Sequence, residues 1–449
     1  MRPGLLSAAP ATMAIAVGLL VGAGWWILPV IGVTVAVLIL APPRSLIISG
    51  VTIAGVLPAV TGPQQVLLSA AISGLIVAAI LLNPARSRAA RPGPVLALAG
   101  YVALSTLWTD SSLGVALIAY LPIALVATSM WTWPATIKDL SLALIAAGTL
   151  QSILALLALA SVDLGTEKVT QVGGFAQPIP IAAAMLALGA LGRTSSHRWR
   201  QRWAKRLRVL AAINLAGIVA TESVGMLIGT GAGIAVLGAT RAISPQPGST
   251  SRVPLRAAAM RGLVVTALLT PLGVAIATRF PRFGAEPLAA PLAARVIEAG
   301  FAMDLYSRHP ILGHGIGTTF LNPISGVGDS QLGNYVHNSV LYFAIVGGLV
   351  GASLFLIVIV GTLIRLVRSA RTSGFAAALA GVFVYSLTQA IVRTSQFNIL
   401  LAICVVVAVR ESGSWEHREA GVDPNEAHES RGSTLWYADR AGRQSNASP

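Results

Sequence analysis

His337 and Asn338 stand directly before an apolar run, so the imidazole marks the outward start of a helix that the sequence predicts from 338 to 360. The unpaired N–H groups and positive dipole end of a helix start disfavour imidazolium. A neutral imidazole near pH 7 can accept a proton from a hydroxyl, which is general-base chemistry. Residues 279–337, just upstream, gather Arg279, Arg282, Arg295 and Arg308, Glu286, Glu298, Asp304 and Asp329, and His309, His314 and His337. Within that stretch, His309-Pro310-Ile311-Leu312-Gly313-His314-Gly315 ends one helix at its proline and turns on its glycines. Such glycines expose backbone N–H groups that bind oxyanions, or they make a plain re-entry turn. Gly348 and Gly351 lie farther along the helix. A straight helix puts Gly348 about 16 Å from His337, which assigns the Gly347-x-x-x-Gly351 pattern to close helix packing instead of the site.

The elements that must carry these residues are membrane helices. Of 449 residues, 55% are hydrophobic and only 10% charged, with a mean hydropathy of +0.76. A soluble domain carries about 25% charged residues, so this chain has too little polar material to cover several soluble domains. One cysteine, Cys404, excludes a disulfide scaffold, a zinc ribbon and a dithiol enzyme. The sequence predicts an all-α polytopic membrane protein with about 12–14 transmembrane helices of about 17–25 residues each. It also predicts one large extracytoplasmic loop containing short amphipathic helices. Residues 1–278 form a transmembrane body, 279–337 the loop, 338–409 the C-terminal helices and 410–449 a disordered tail. The first apolar stretch is followed by another, so it reads as a span and not as a removable signal.

The net charge is +15 and the isoelectric point about 11.2, but the basic residues lie between the apolar runs. Arg86 to Arg91, Arg193 to Arg208, Arg241 to Arg261, Arg365 to Arg371 and the tail all fall on one side when the spans are counted. The positive-inside rule makes that side cytoplasmic, with both termini there and the loop outside, and it accounts for the charge without nucleic acid. Within the loop, residues 291–307 read as an amphipathic helix with Ala294, Ile297, Phe301 and Leu305 on one face and Arg295, Glu298 and Arg308 on its flanks. Glu222, at the edge of a span, is either an intramembrane functional group or a surface residue at a short turn.

His337-Asn338, nine residues, Gly348, two residues and Gly351 resemble the H-[NSQ]-x9-G-x-x-G signature of bacterial O-antigen ligases, whose wider superfamily includes O-antigen polymerases. Arg295, followed after a helix by His309 to Gly315, is similar to the family's loop pattern. Gly173-Gly174-Phe175-Ala176-Gln177-Pro178 looks like its short outward element. Together these parts cover roughly residues 160–410. The resemblance implies a transferase of the bacterial inner (cytoplasmic) membrane. It would move a glycan from undecaprenyl diphosphate to a hydroxyl of a glycan or glycolipid acceptor. It implies His337 as the general base and Arg295 as a diphosphate contact.

A lipid diphosphate leaves well once its charge is stabilised, and arginine supplies bidentate, permanently charged donors for it. The outward loops hold no D-x-D, and Asp304 and Asp329 are 25 residues apart, so the expected reaction is metal-independent and needs no cofactor. The family's Ser-Arg-Gly element reads Ser223-Val224-Gly225 here, so one arginine is missing. Arg282, Arg308 and Arg393, with Asn338 and His314, complete the candidate substrate contacts, and His314 is also a rival base. Ligase and polymerase share donor and base and are not separated by these residues. A transporter or flippase is the competing class. Its polar groups belong near the bilayer midplane, whereas here they collect in one outward loop.

Overall fold

The computed structural model describes residues 42–56, 63–81, 93–109, 126–130, 133–161, 178–191, 198–221, 223–243, 289–318, 320–321, 332–333, 336–389 and 391–419. The expected spans at 5–22, 25–41 and 262–278 and most of 111–131 lie outside them, as do Glu222 and residues 173–177. The described helices are α1 (Pro43–Val56), α2 (Pro63–Leu81), α3 (Gly93–Ser105), α4 (Ile137–Ser161), α5 (Ile179–Leu191), α6 (Arg198–Ala220), α7 (Val224–Ile243), α8 (Ala289–Arg308), α9 (Ser339–Val367), α10 (Ser373–Ser386) and α11 (Ser395–Glu419). The described residues are thus mainly α-helical, with short 3-10 turns and loops between the helices and a two-residue antiparallel ladder of β1 (Phe320–Leu321) with β2 (Leu332–Gly333).

Among the described residues, three helices are long and apolar enough to cross a membrane: Ile137–Leu159, Val224–Arg241 and Ser339–Val367. Pro43–Val56, Ile72–Leu81, Gly93–Ser105 and Ile179–Leu191 are apolar but shorter. In the core α5 packs against α4, α6 and α10, and α7 lies along α10. Small residues set these close approaches. A Cβ on Gly189 would meet the Gly374 backbone at 2.6 Å, and one on Gly229 would meet the Gly381 carbonyl at 2.5 Å. Backbones approach this closely only where no side chain intervenes.

The bundle has two chemically distinct ends. At one, Thr136 and Asp139 form a reciprocal cap on α4. Asp139 Oδ2 accepts from Thr136 N–H at 2.9 Å, and Asp139 N–H donates to Thr136 Oγ1 at 3.2 Å. Arg44 donates to the same carboxylate at 2.7 Å. Arg410 donates to the carbonyls of Ala135 and Trp133, Ser369 bonds Glu411 at 2.9 Å, and Arg241 reaches the Leu188 carbonyl. At the other end, Ser339 of α9 donates to the Gln389 carbonyl after α10, and Gly225 at the start of α7 meets Thr388. Basic side chains thus serve as helix-end caps at one end only, among the described residues.

Two expectations change here. Residues 198–208, part of the basic stretch between apolar runs, are the first turns of α6, and Arg206 lies over the Trp203 ring at 5.4 Å. The tail was placed from 410, yet α11 runs to Glu419. Arg410 and Glu411 find partners on neighbouring helix ends, so these polar residues extend the helix instead of ending it.

Candidate functional site

The helix α9 is not straight. Gly348 has φ 57° and ψ −158°, a combination open essentially to glycine alone, and it breaks the helix into 339–347 and 349–367. The break is sharp. The rings of Phe343 and Phe355 stack at 4.3 Å, although twelve residues of straight helix would separate them by about 18 Å.

The segment 309–315 is stitched into this break. His314 N–H donates to the Ile345 carbonyl and Gly315 N–H to the Val346 carbonyl, both at 2.9 Å. In return Leu349 N–H donates to the Pro310 carbonyl at 2.8 Å and Val350 N–H to the Ile311 carbonyl at 3.3 Å. Tyr101 of α3 places its hydroxyl 2.8 Å from the carbonyls of both Leu312 and Gly347. Ser105, one turn on, accepts from Ile316 N–H at 3.1 Å, and Thr109 meets Thr318 at 3.3 Å. One face of α3 therefore fixes the loop that fills the broken helix. The glycine pair differs from expectation accordingly. Gly351 does pack closely, with Tyr101 3.1 Å from its would-be Cβ. Gly348 contacts the loop at Ile311 and Gly313 instead of another helix, because it is the bend itself.

His337 lies just before the N-cap of the first half-helix. Asn338 Oδ1 caps that helix, accepting from Val340 N–H at 2.9 Å and Leu341 N–H at 3.1 Å. This residue was expected to contact substrate, but its side-chain carbonyl is engaged by the helix start. The partner of His337 comes from α8. Glu298 is 3% exposed. Its Oε1 lies 2.8 Å from His337 Nδ1 and accepts the His337 backbone N–H at 3.0 Å. Its Oε2 accepts from Arg295 Nη1 at 3.1 Å. Burial alone would raise the carboxyl pKa. The hydrogen bond and charge of the His337 ring, its backbone N–H and the Arg295 charge outweigh that, and the value falls from 4.5 to about 2.

The helix α8 spans the amphipathic segment read from the sequence, but turns a different face inward. Ala302 and Glu298 are buried, Phe301 and Leu305 half-buried, and Ile297 exposed. Glu298 was placed on a flank and instead lies inside. Nothing in the spacing sets Glu298 apart from the other charged residues of α8, Arg295, Asp304 and Arg308.

The remaining candidates are placed apart or fall outside the description. Arg308 is exposed and pairs with Asp304 at 2.7 Å, thirteen residues and about 20 Å along α8 from Arg295. His314 Nε2 meets the Leu305 carbonyl at 2.9 Å, and its ring stands edge-on to His309 at 4.5 Å. Its Nε2 therefore acts as a donor in the junction between the loop and α8. Arg393 ends a short 3-10 turn, Ile391–Arg393, at the His337 end of the bundle, but its side chain lies outside the described residues. So do Arg279 and Arg282. Among the described residues, no three His, Cys, Asp or Glu side chains converge as a metal site.

The structure thus joins Arg295, Glu298 and His337 in one half-buried constellation at the end of the bundle opposite the basic caps. Compared with family models and with curated proteins, the chain matches none.

Proposed function

We propose that this chain is a membrane glycosyltransferase of the O-antigen ligase kind. It transfers a glycan from undecaprenyl diphosphate to an acceptor hydroxyl on the outer face of the bacterial cytoplasmic membrane. The observation that carries the reading is that Arg295 and His337, 42 positions apart, meet on the two oxygens of one carboxylate. A donor for phosphate oxygens and a proton acceptor for a hydroxyl then border the same space.

The chemistry follows from these groups. The Arg295 side chain is 40% exposed, and a guanidinium has five N–H donors, so binding Glu298 leaves it able to contact a diphosphate. The His337 side chain is 22% exposed and reaches solvent. It takes the acceptor hydroxyl proton as the oxygen attacks the anomeric carbon. The bond from that carbon to the diphosphate oxygen breaks, and undecaprenyl diphosphate leaves with the electron pair. One direct displacement inverts the anomeric centre. No metal or cofactor takes part in this scheme. Ligase and polymerase differ only in the acceptor, a lipid-linked core or a growing lipid-linked chain.

The test is glycan transfer by purified, detergent-solubilised protein from an undecaprenyl-diphosphate oligosaccharide, with chelator present and each candidate acceptor offered separately. His337→Ala is expected to lower the rate by about 10²–10⁴-fold, the usual contribution of a positioned general base. The acceptor that gains glycan names the branch of the superfamily. Transfer that proceeds undiminished in His337→Ala rejects the assignment.

A further inference from the structure

We propose that Glu298 is the positioning residue of this site, holding His337 in the tautomer that carries hydrogen on Nδ1 and so presents Nε2 to the acceptor hydroxyl. The inference rests on the general-base reading of His337 and adds to it a residue that the signature motif does not contain.

The geometry makes the assignment. Glu298 Oε1 receives two donors from the same residue, the Nδ1 side of the ring at 2.8 Å and the backbone N–H at 3.0 Å. An ionised carboxylate can only accept, so the hydrogen in the ring contact belongs to Nδ1. In a neutral imidazole the lone pair then resides on Nε2. The two contacts on one oxygen fix both the position of the His337 backbone and the rotation of its ring. Arg295 on Oε2 fixes the carboxylate in turn, at 3.1 Å.

The setting keeps this arrangement rigid. Glu298 is 3% exposed, so little water competes for its oxygens. Its helix is held to the His337 helix a second time, through His314, which bonds the Leu305 carbonyl of α8 by its ring and the Ile345 carbonyl of α9 by its backbone. With two separate ties, α8 cannot drift from the start of α9 without breaking both. Buried carboxylates that orient a catalytic imidazole serve the same purpose in other enzyme sites, where loss of the orienting acid costs rate through the wrong tautomer.

The test has a readout that needs no substrate. Protein labelled with 15N-histidine is purified in detergent, and the two ring-nitrogen shifts of His337 are assigned by comparison with His337→Gln. Wild type is expected to show hydrogen on Nδ1, and so is Glu298→Gln, whose amide oxygen can still accept from His337. Glu298→Ala is expected to lose that fixed tautomer and to transfer glycan at least about tenfold more slowly. Hydrogen on Nε2 and none on Nδ1 in the wild type overturns the proposal, as does an unchanged tautomer in Glu298→Ala. Nδ1 hydrogen in a protein that transfers no glycan upholds the positioning and overturns the transferase reading instead. Glu298→Gln guards against misfolding, since it keeps the polar group and its size.

Discussion

Glu298 draws its low pKa from donors that exist only in the folded site. A carboxyl depressed from 4.5 to about 2 stabilises the folded state fully above pH 4.5 and loses that contribution as pH falls toward 2. The ceiling is about 3 kcal/mol by the linkage relation. The expected result is a gap in thermal stability between wild type and Glu298→Gln that is widest above pH 4.5 and closes toward pH 2. Thermal unfolding of detergent-solubilised protein across that range checks it, and a gap independent of pH would remove the carboxylate from the account. The sequence singled out His337 because its position at a helix start has chemical meaning. It did not reveal the acid, because 39 residues separate Glu298 from His337 and only folding brings them together.

At the scale of the element, the glycines of α9 have separable consequences. Gly348→Ala forces a side chain into backbone conformation reserved for glycine and against the Ile311 carbonyl. It should destabilise by at least about 1–3 kcal/mol. Gly361 sits in the same helix with open space around its Cβ position. Gly361→Ala should therefore stabilise by about 0.5–1 kcal/mol, through helix propensity alone. Denaturation of the two variants in parallel checks the contrast, and equal effects would mean that the bend is not a feature of the folded protein. Hydrophobic periodicity could place α9 but not its bend, since apolar residues continue unbroken on both sides of Gly348. The loop that makes the bend stable comes from more than 30 residues upstream, and its glycines expose backbone groups without showing which carbonyls they meet.

At the scale of the molecule, the two ends of the bundle are what the sequence conveyed best. The apolar runs of the sequence at 45–60, 139–161, 179–192, 224–240 and 375–391 coincide within about five residues with α1, α4, α5, α7 and α10, of which α4 and α7 are long enough to cross a membrane. Arg44, Arg241 and Arg410 cap backbone or carboxylate oxygens at one end, and the site lies at the other. With the basic end cytoplasmic, Ser307→Cys on exposed α8 should react with a membrane-impermeant maleimide in intact spheroplasts, and Lys205→Cys only after permeabilisation. The background is clean because the single native cysteine, Cys404, is buried. Labelling of Lys205→Cys from outside would invert the orientation.

The stitched break at Gly348 also imposes an order on assembly. Three carbonyls and two amides of α9 find their partners in 309–315 and Tyr101 instead of along the helix. Left alone in hydrocarbon, each such group would cost several kcal/mol. A newly inserted 339–367 segment therefore satisfies itself best as one straight helix. It bends only when residues 309–315 and α3 arrive to exchange local hydrogen bonds for distant ones. The Arg295–Glu298–His337 cluster is then completed last, after the helices that support it have closed, and a chain caught before that step would be inserted in the bilayer yet lack the cluster.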